Sequence, residues 1–229
     1  MDGREAAGLE HTEQPAKRPV SLALFDFDGT LIAGDSIGAY TLFAWKRGAM
    51  TGRELLRAMG GALLYGLKKL GPAESKNRAL AFRSRLTPPQ REALDRAFAE
   101  EALLPRVYPA GRECLQAHRQ AGRTLLLVTA STENYMRFVA DGLGFDGLLA
   151  TGLDENSRVT VNCKGEEKAR RVREWLKERG LEADFDASFA YGDSKSDLPL
   201  LRLCGHPVLV NPKRALGRKA PDMQRVKWK

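Results

Sequence analysis

The 229 residues are 43% hydrophobic and 29% charged, enough apolar material for one domain with a sizeable insertion but too short a chain for two large ones. The formal net charge is +8, much of it beyond Asn211, where Lys213, Arg214, Arg218, Lys219, Arg225, Lys227 and Lys229 face one acid, Asp222. That run has no aromatic ladder, reads as a solvated end, and gives no reason to expect a nucleic-acid partner. Cys114, Cys163 and Cys204 lie far apart and in no CxxC pair, which argues against a disulfide framework or a zinc site and fits a cytoplasmic setting.

Residues 1–19 mix acids and bases without an apolar core and read as a disordered leader, not a signal peptide. The run 21–27 (SLALFDF) breaks at Asp28-Gly29-Thr30, the form of a buried strand that delivers polar residues at its C-terminal end. Residues 37–47, 52–70, 74–83, 89–103 and 110–121 follow with helical spacing, punctuated by Pro72, Pro88, Pro105 and Pro109. This stretch is too long for one crossover helix. A helical cap at 35–106 is therefore expected, inserted into a core made of 20–34 and 107–229. A second buried run, 124–129 (TLLLVT), ends in Ala130-Ser131-Thr132, and a third, 187–191 (ASFAY), ends in Gly192-Asp193-Ser194. Helical segments follow each, at 133–141 and 196–203, and residues 158–162 read as half of a short hairpin. Apolar strands alternating with helices predict an α/β fold, a mostly parallel sheet covered on both faces.

In such a sheet, ligands bind where the carboxyl ends of the strands meet. Three strands here end in Asp26 and Asp28, Thr129 and Ser131, and Asp193 and Asp197. Carboxylates converging on one edge repel each other unless a cation sits among them. An all-oxygen donor set favours a hard cation, Mg2+ first, and argues against zinc.

Asp26-Phe-Asp28-Gly-Thr30 matches the DxDxT signature of the haloacid dehalogenase superfamily. Thr129 after its hydrophobic strand, Lys164 opening a helix, and Gly192-Asp193-Ser-Lys-Ser-Asp197 as GDxxxD follow in the family's order. The resemblance implies a Rossmann-like core and a phosphohydrolase. Asp26 would be the nucleophile, and Asp28 the acid and then the base. Mg2+ would be held by Asp26, the Asp28 backbone carbonyl and Asp193, with Asp197 acting one shell out. Thr129, Ala130 and Lys164 would hold the phosphoryl group, and Lys168 is the nearby competitor of Lys164 for that role.

A helical insert after the first motif resembles the subclass that includes phosphoserine phosphatase, which implies a small phosphomonoester substrate. Asp35 stands about where that relative has a glutamate reading the substrate's amine, and Ser196 where it has an asparagine. Asp35 equally makes a good N-cap with Ser36. Arg78, Arg83 and Arg85 of the insert are further candidates to meet a substrate anion, though such arginines are usually solvated. A phosphotransferase would use the same aspartyl phosphate, but an all-helical insert does not mark one. Residues 58–67 (AMGGALLYGL) are apolar and flanked by Arg53, Arg57, Lys68 and Lys69. Too short to span a bilayer, they could lie on a membrane and admit a lipid phosphate. Packing within the insert or against the core is the reading favoured here.

Overall fold

The computed structural model describes residues 19–212, 216, 218 and 220–229. All but Pro19 of the expected leader, and Lys213, Arg214 and Lys219 of the basic tail, lie outside the described residues. Strands β1 (Val20–Phe25), β2 (Thr124–Thr132), β3 (Gly147–Thr151), β4 (Ala183–Gly192), β5 (His206–Val210) and β6 (Gln224–Val226) form one sheet, ordered β3-β2-β1-β4-β5-β6. Every pairing is parallel.

Alternate residues of the central strands feed two apolar layers, as the two-residue period of a strand requires. Ala23, Phe25, Leu125 and Leu127 pack with Leu115 of α5 (Pro109–Gln120) and with Tyr135, Met136 and Val139 of α6 (Glu133–Leu143). Leu22, Leu24, Leu126 and Val128 pack with Val172, Trp175 and Leu176 of α7 (Glu166–Glu178) and with Leu200 and Leu201 of α8 (Leu198–Leu201). Burial on both faces explains why these strands read as unbroken apolar runs. The fold is the Rossmann-like α/β class expected.

Between β1 and α5 the chain is helical: α1 (Ser36–Lys46), α2 (Gly52–Gly66), α3 (Pro72–Leu80) and α4 (Pro88–Phe98), running on through short turns to Arg106. Thr51 with Glu54, and Thr87 with Gln90, form capping boxes at the starts of α2 and α4, satisfying amides that a helix start leaves unpaired. Helix α2 stops short of the expected residue 70, because Lys68 turns left-handed at φ 58°.

The apolar core runs on from the sheet into these helices. Tyr40, Phe98 and Tyr135 have ring centroids 5.1 Å apart in each pairing. Buried among them, Asp95 accepts from Tyr40 Oη at 2.5 Å, from Arg83 at 2.5 and 3.0 Å, and from Asn134 Nδ2 of α6 at 2.6 Å. This network pins α4 to the core. It also accounts for Arg83, while Arg85 pairs with Glu54 at 2.6 Å and Arg78 with Glu74 at 3.4 Å.

Residues 158–162 face 152–154 as a short antiparallel hairpin outside the sheet, as expected: Leu153 bridges Val159, the Gly152 amide donates to Val161 at 3.2 Å, the Thr160 amide to Gly152 at 3.0 Å and the Asp154 amide to Arg158 at 2.9 Å. Two expectations change. The basic tail is not simply a solvated end: Met223 is buried, β6 extends the sheet, and the ring of Trp228 lies 5.7 Å from that of Tyr191. The 58–67 segment buries Ala58 and Gly61 and half-buries Leu64, but leaves Met59 and Leu63 exposed, so it packs on one side only.

Replacing Asp95 strands a buried guanidinium. Asp95→Ala is expected to destabilise the fold by about 3–5 kcal/mol in urea unfolding, whereas Arg85→Ala, which breaks a half-exposed pair, should cost far less.

Candidate active site

Strands β1 and β4 are neighbours whose connections leave toward opposite faces, so their carboxyl ends open the crevice where a parallel sheet binds ligands. Asp26 follows β1 directly, and its amide donates to the Tyr191 carbonyl of β4 at 3.0 Å. That bond fixes the aspartate against the strand that ends in Gly192 and leads into Asp193.

Asp26 is buried. Its Oδ1 accepts from Lys168 Nζ at 2.6 Å and its Oδ2 from Thr30 Oγ1 at 3.2 Å. The same ammonium donates to Asp197 Oδ1 at 2.6 Å, and Asp197 Oδ2 accepts from the Ser194 amide at 3.0 Å and hydroxyl at 2.6 Å. Burial pushes the Asp26 carboxyl above its ordinary range; Lys168 opposes that shift and Asp197 adds to it. For Asp197, burial also acts upward, but Lys168 and Ser194 outweigh it and hold the group below its usual range. Burial would depress Lys168, yet the two carboxylates keep it firmly charged.

Asp193 completes the cluster: carboxylate oxygens of Asp26, Asp193 and Asp197 lie within 4.8 Å of one another. Gly29 makes room for it. Its φ is +82°, and a β-carbon there would come within 2.3 Å of Asp193 Oδ2, so glycine meets both the left-handed backbone and the close approach. An all-carboxylate donor set, short of positive charge and pushed upward by burial, is one that a hard divalent cation fits. The Asp28 carboxylate is not in this cluster.

It turns the other way. Asp28 Oδ1 accepts from the Ser36 amide at 3.0 Å, and Oδ2 from Ser36 Oγ at 2.9 Å and Ser131 Oγ at 2.5 Å. Tyr135 Oη lies 3.0 Å from Ser36 Oγ. Burial first, and the charge of Asp35 second, raise the Asp28 carboxyl to about 6 against the pull of these donors. Thr129 is buried three residues before the end of β2, its Oγ1 accepting from the Ser131 amide at 3.0 Å. The next carbonyl, Ala130, accepts from Thr151 Oγ1 at 2.6 Å and from Lys76 Nζ.

A cavity of about 400 Å³ opens beside Asp28, with Asp35 and Ser131 in its wall and Tyr65, Lys76 and Lys164 also lining it. Asp35 serves two ends: it caps α1, accepting from the Gly38 amide at 2.9 Å, and it faces the cavity. A larger hollow of about 720 Å³, by Arg57, Asn77 and Arg158, touches none of the aspartates described above.

The lysine on Asp26 is thus Lys168; Lys164 instead donates to Tyr65 Oη at 2.7 Å across the cavity. The sequence held the signal: Lys168, Val172 and Trp175 are spaced 4 and 3 apart, so the lysine falls on the apolar face of α7, whereas Lys164 precedes the helix. Lys76 was missed altogether. It reaches from α3 to Ala130, to Asn162 and, at 3.2 Å, to Thr151 Oγ1. Burial, and then the charge of Lys164, lower its ammonium to about 8.

Clustered aspartates and a buried lysine at the switch point of a parallel sheet define a hydrolase of the Rossmann-like α/β class. The sequence profile of the haloacid dehalogenase-like hydrolases matches residues 23–202, and the chain belongs to that family. It is 31% identical over 212 residues to a histidinol-phosphatase of Neisseria meningitidis, covering 88% of this chain and 95% of that relative. It is 29% identical over 219 residues to a phosphoserine phosphatase of Mycobacterium tuberculosis, covering 90% of this chain and 69% of that one. A solved Bordetella pertussis protein of unknown function superposes with a TM-score of 0.83 at 25% identity, over 93% of this chain and all of its own. The protein is a phosphatase of this family.

Two outcomes follow from the lysines. Lys168→Met is expected to lower kcat by about 10²–10³, with circular dichroism showing the fold retained, while Lys164→Met costs under about tenfold. Lys76→Met should speed amide hydrogen exchange in α2 and α3 and leave α4 unchanged; equal exchange throughout would deny Lys76 a part in holding those helices down.

Proposed function

We propose that the protein hydrolyses a small phosphomonoester through a phospho-aspartyl intermediate on Asp26. The observation that carries this reading is the division of the two aspartates of β1's end: Asp26 faces the ammonium and the carboxylate cluster, Asp28 faces hydroxyls and the cavity. In the first step a carboxylate oxygen of Asp26 bonds to phosphorus and the ester P–O bond breaks, with Asp28 giving its proton to the departing alkoxide. In the second, Asp28 takes a proton from water, the water oxygen bonds to phosphorus, and the bond to Asp26 breaks to release phosphate. A carboxyl raised to about 6 is suited to both transfers near neutral pH. Lys168 offsets the charge of the nucleophile and of the phosphoryl oxygens. Thr129 and the backbone amides near the end of β2, where the Ala130 carbonyl is drawn aside by Lys76, bind those oxygens.

Mg2+ is the cofactor the donor set fits, with Asp26, Asp193 and the Asp28 main-chain carbonyl as ligands and Asp197 positioning them. Bound there, it would screen the negative phosphate from the anionic nucleophile.

The substrate carries an ammonium group. Asp35 in the cavity wall supplies the matching charge, and Lys76 and Lys164 opposite can meet a carboxylate. Phosphoserine fits both ends, and an amino-alcohol phosphate such as histidinol phosphate fits the first.

Asp26→Asn is expected to abolish turnover with an unchanged melting temperature. Phosphate release from phosphoserine, histidinol phosphate, sugar phosphates and a detergent-dispersed lipid phosphate should be lost in chelator and restored by Mg2+. Full activity in Asp26→Asn would refute the intermediate. A preference for sugar or lipid phosphates would refute the amine-bearing substrate.

A further inference from the structure

Helix α2 leaves most of its large apolar side chains outside. Ala58 and Gly61 are buried, with Leu55 and Leu64 half-buried, and a β-carbon at Gly61 would come within 3.1 Å of Arg78 on α3. On the outer face of α2, Leu56 is 71% exposed, Met59 60%, Leu63 64% and Leu67, just past the helix end, 57%. Spaced 3, 4 and 4 apart, these four form a single stripe about 16 Å long. A globular helix ordinarily turns such a face inward, and a continuous exposed apolar stripe marks a docking surface.

Charge selects the occupant. Arg53 and Arg57 precede the stripe's centre and Lys68 and Lys69 follow its end, all four exposed. Among the described residues none of them has an ion-pair partner, whereas the single acid of α2, Glu54, is taken by Arg85. A second copy of the chain would bring these cations against their own kind, with no free acid on α2 to answer them. An anionic surface with an apolar interior answers both the collar and the stripe. No described helix is long and apolar enough to cross a membrane, so the contact is one of lying on the surface.

We propose that the outer face of α2 docks on an anionic phospholipid bilayer. Leucine and methionine side chains enter the boundary between headgroups and acyl chains, and the arginines and lysines remain at the phosphates. Ala62 and Tyr65 of the same helix line the cavity beside Asp28, so docking sets the mouth of that cavity near the headgroups. The inference rests on this surface and not on the reading of the substrate.

Co-sedimentation of the full chain with phosphatidylglycerol–phosphatidylcholine vesicles tests it. Binding is expected at low salt and should weaken as salt rises. It should fall by about tenfold or more in the double variant Leu56→Ser/Leu63→Ser and also in Lys68→Gln/Lys69→Gln, and be absent on pure phosphatidylcholine. Phosphate release from a soluble ester should match the parent in both variants, which certifies their fold and separates this test from that of the chemistry. No binding to anionic vesicles, or binding undiminished in Leu56→Ser/Leu63→Ser, overturns the proposal. So does a dimer in light scattering that this variant converts to monomer, since a second copy would then cover the stripe.

Discussion

One buried ammonium organises the site. Lys168 stands between Asp26 at the end of β1 and Asp197 beyond β4, so a single side chain of α7 ties together the two strands that open the crevice. Removing an ammonium from water costs several kcal/mol, recovered only when its partners are close and are themselves satisfied. Both conditions hold: Thr30 supports Asp26, and Ser194 supports Asp197 through its amide and hydroxyl. Three carboxylates, Asp26, Asp193 and Asp197, against this one ammonium leave two negative charges. That surplus is what a divalent cation matches.

The helical insert is held by two different kinds of bond. Helix α4 is fixed to α6 by Asp95 and an aromatic cluster, all buried. Helices α2 and α3 bury only Ala58, Ala79 and Leu80 in the apolar core and add polar contacts: Lys76 on Ala130 and Asn162, Asn77 accepting from the Val159 amide at 2.8 Å, and Tyr65 accepting from Lys164. Water can replace the second kind far more readily than the first. The pair α2–α3, which carries the exposed stripe, thus depends on polar contacts more than α4 does.

What could be read from the sequence depended on how many faces of an element are buried. Strands β1, β2 and β4 have apolar runs broken by aspartate or threonine, and they were legible, as were the aspartates they deliver. Strand β3 begins with three half-buried residues, and β6 is three residues long within a basic tail; neither has a period to detect. Lys164 drew attention because it opens a helix next to a motif-like turn, although the period of α7 places Lys168 on the buried face. Lys76 and Asp95 act through partners far away in sequence, and no local pattern announces either. The apolar run of α2 was visible, but its composition could not tell which side faces in. Only the close packing of Gly61 on Arg78 decides that.

Asp26 and Asp28 are two residues apart, and a strand would aim both at one face. The turn at Gly29 separates them. Asp26 is left with a cation at 2.6 Å, and Asp28 with hydroxyl and amide donors at 2.5–3.0 Å plus the repulsion of Asp35. Lys168 pulls Asp26 toward its charged form against the burial that raises it, as a nucleophile needs. Asp28 has only neutral donors and a nearby like charge, and at about 6 it lies within reach of both protonation states near neutral pH, as a proton donor must. The same residue type can thus fill two roles because a left-handed glycine lets the backbone turn between them, and that glycine also clears the space in which Asp193 lies. The geometry of one turn sets both the chemistry assigned to the pair and the place of the third carboxylate.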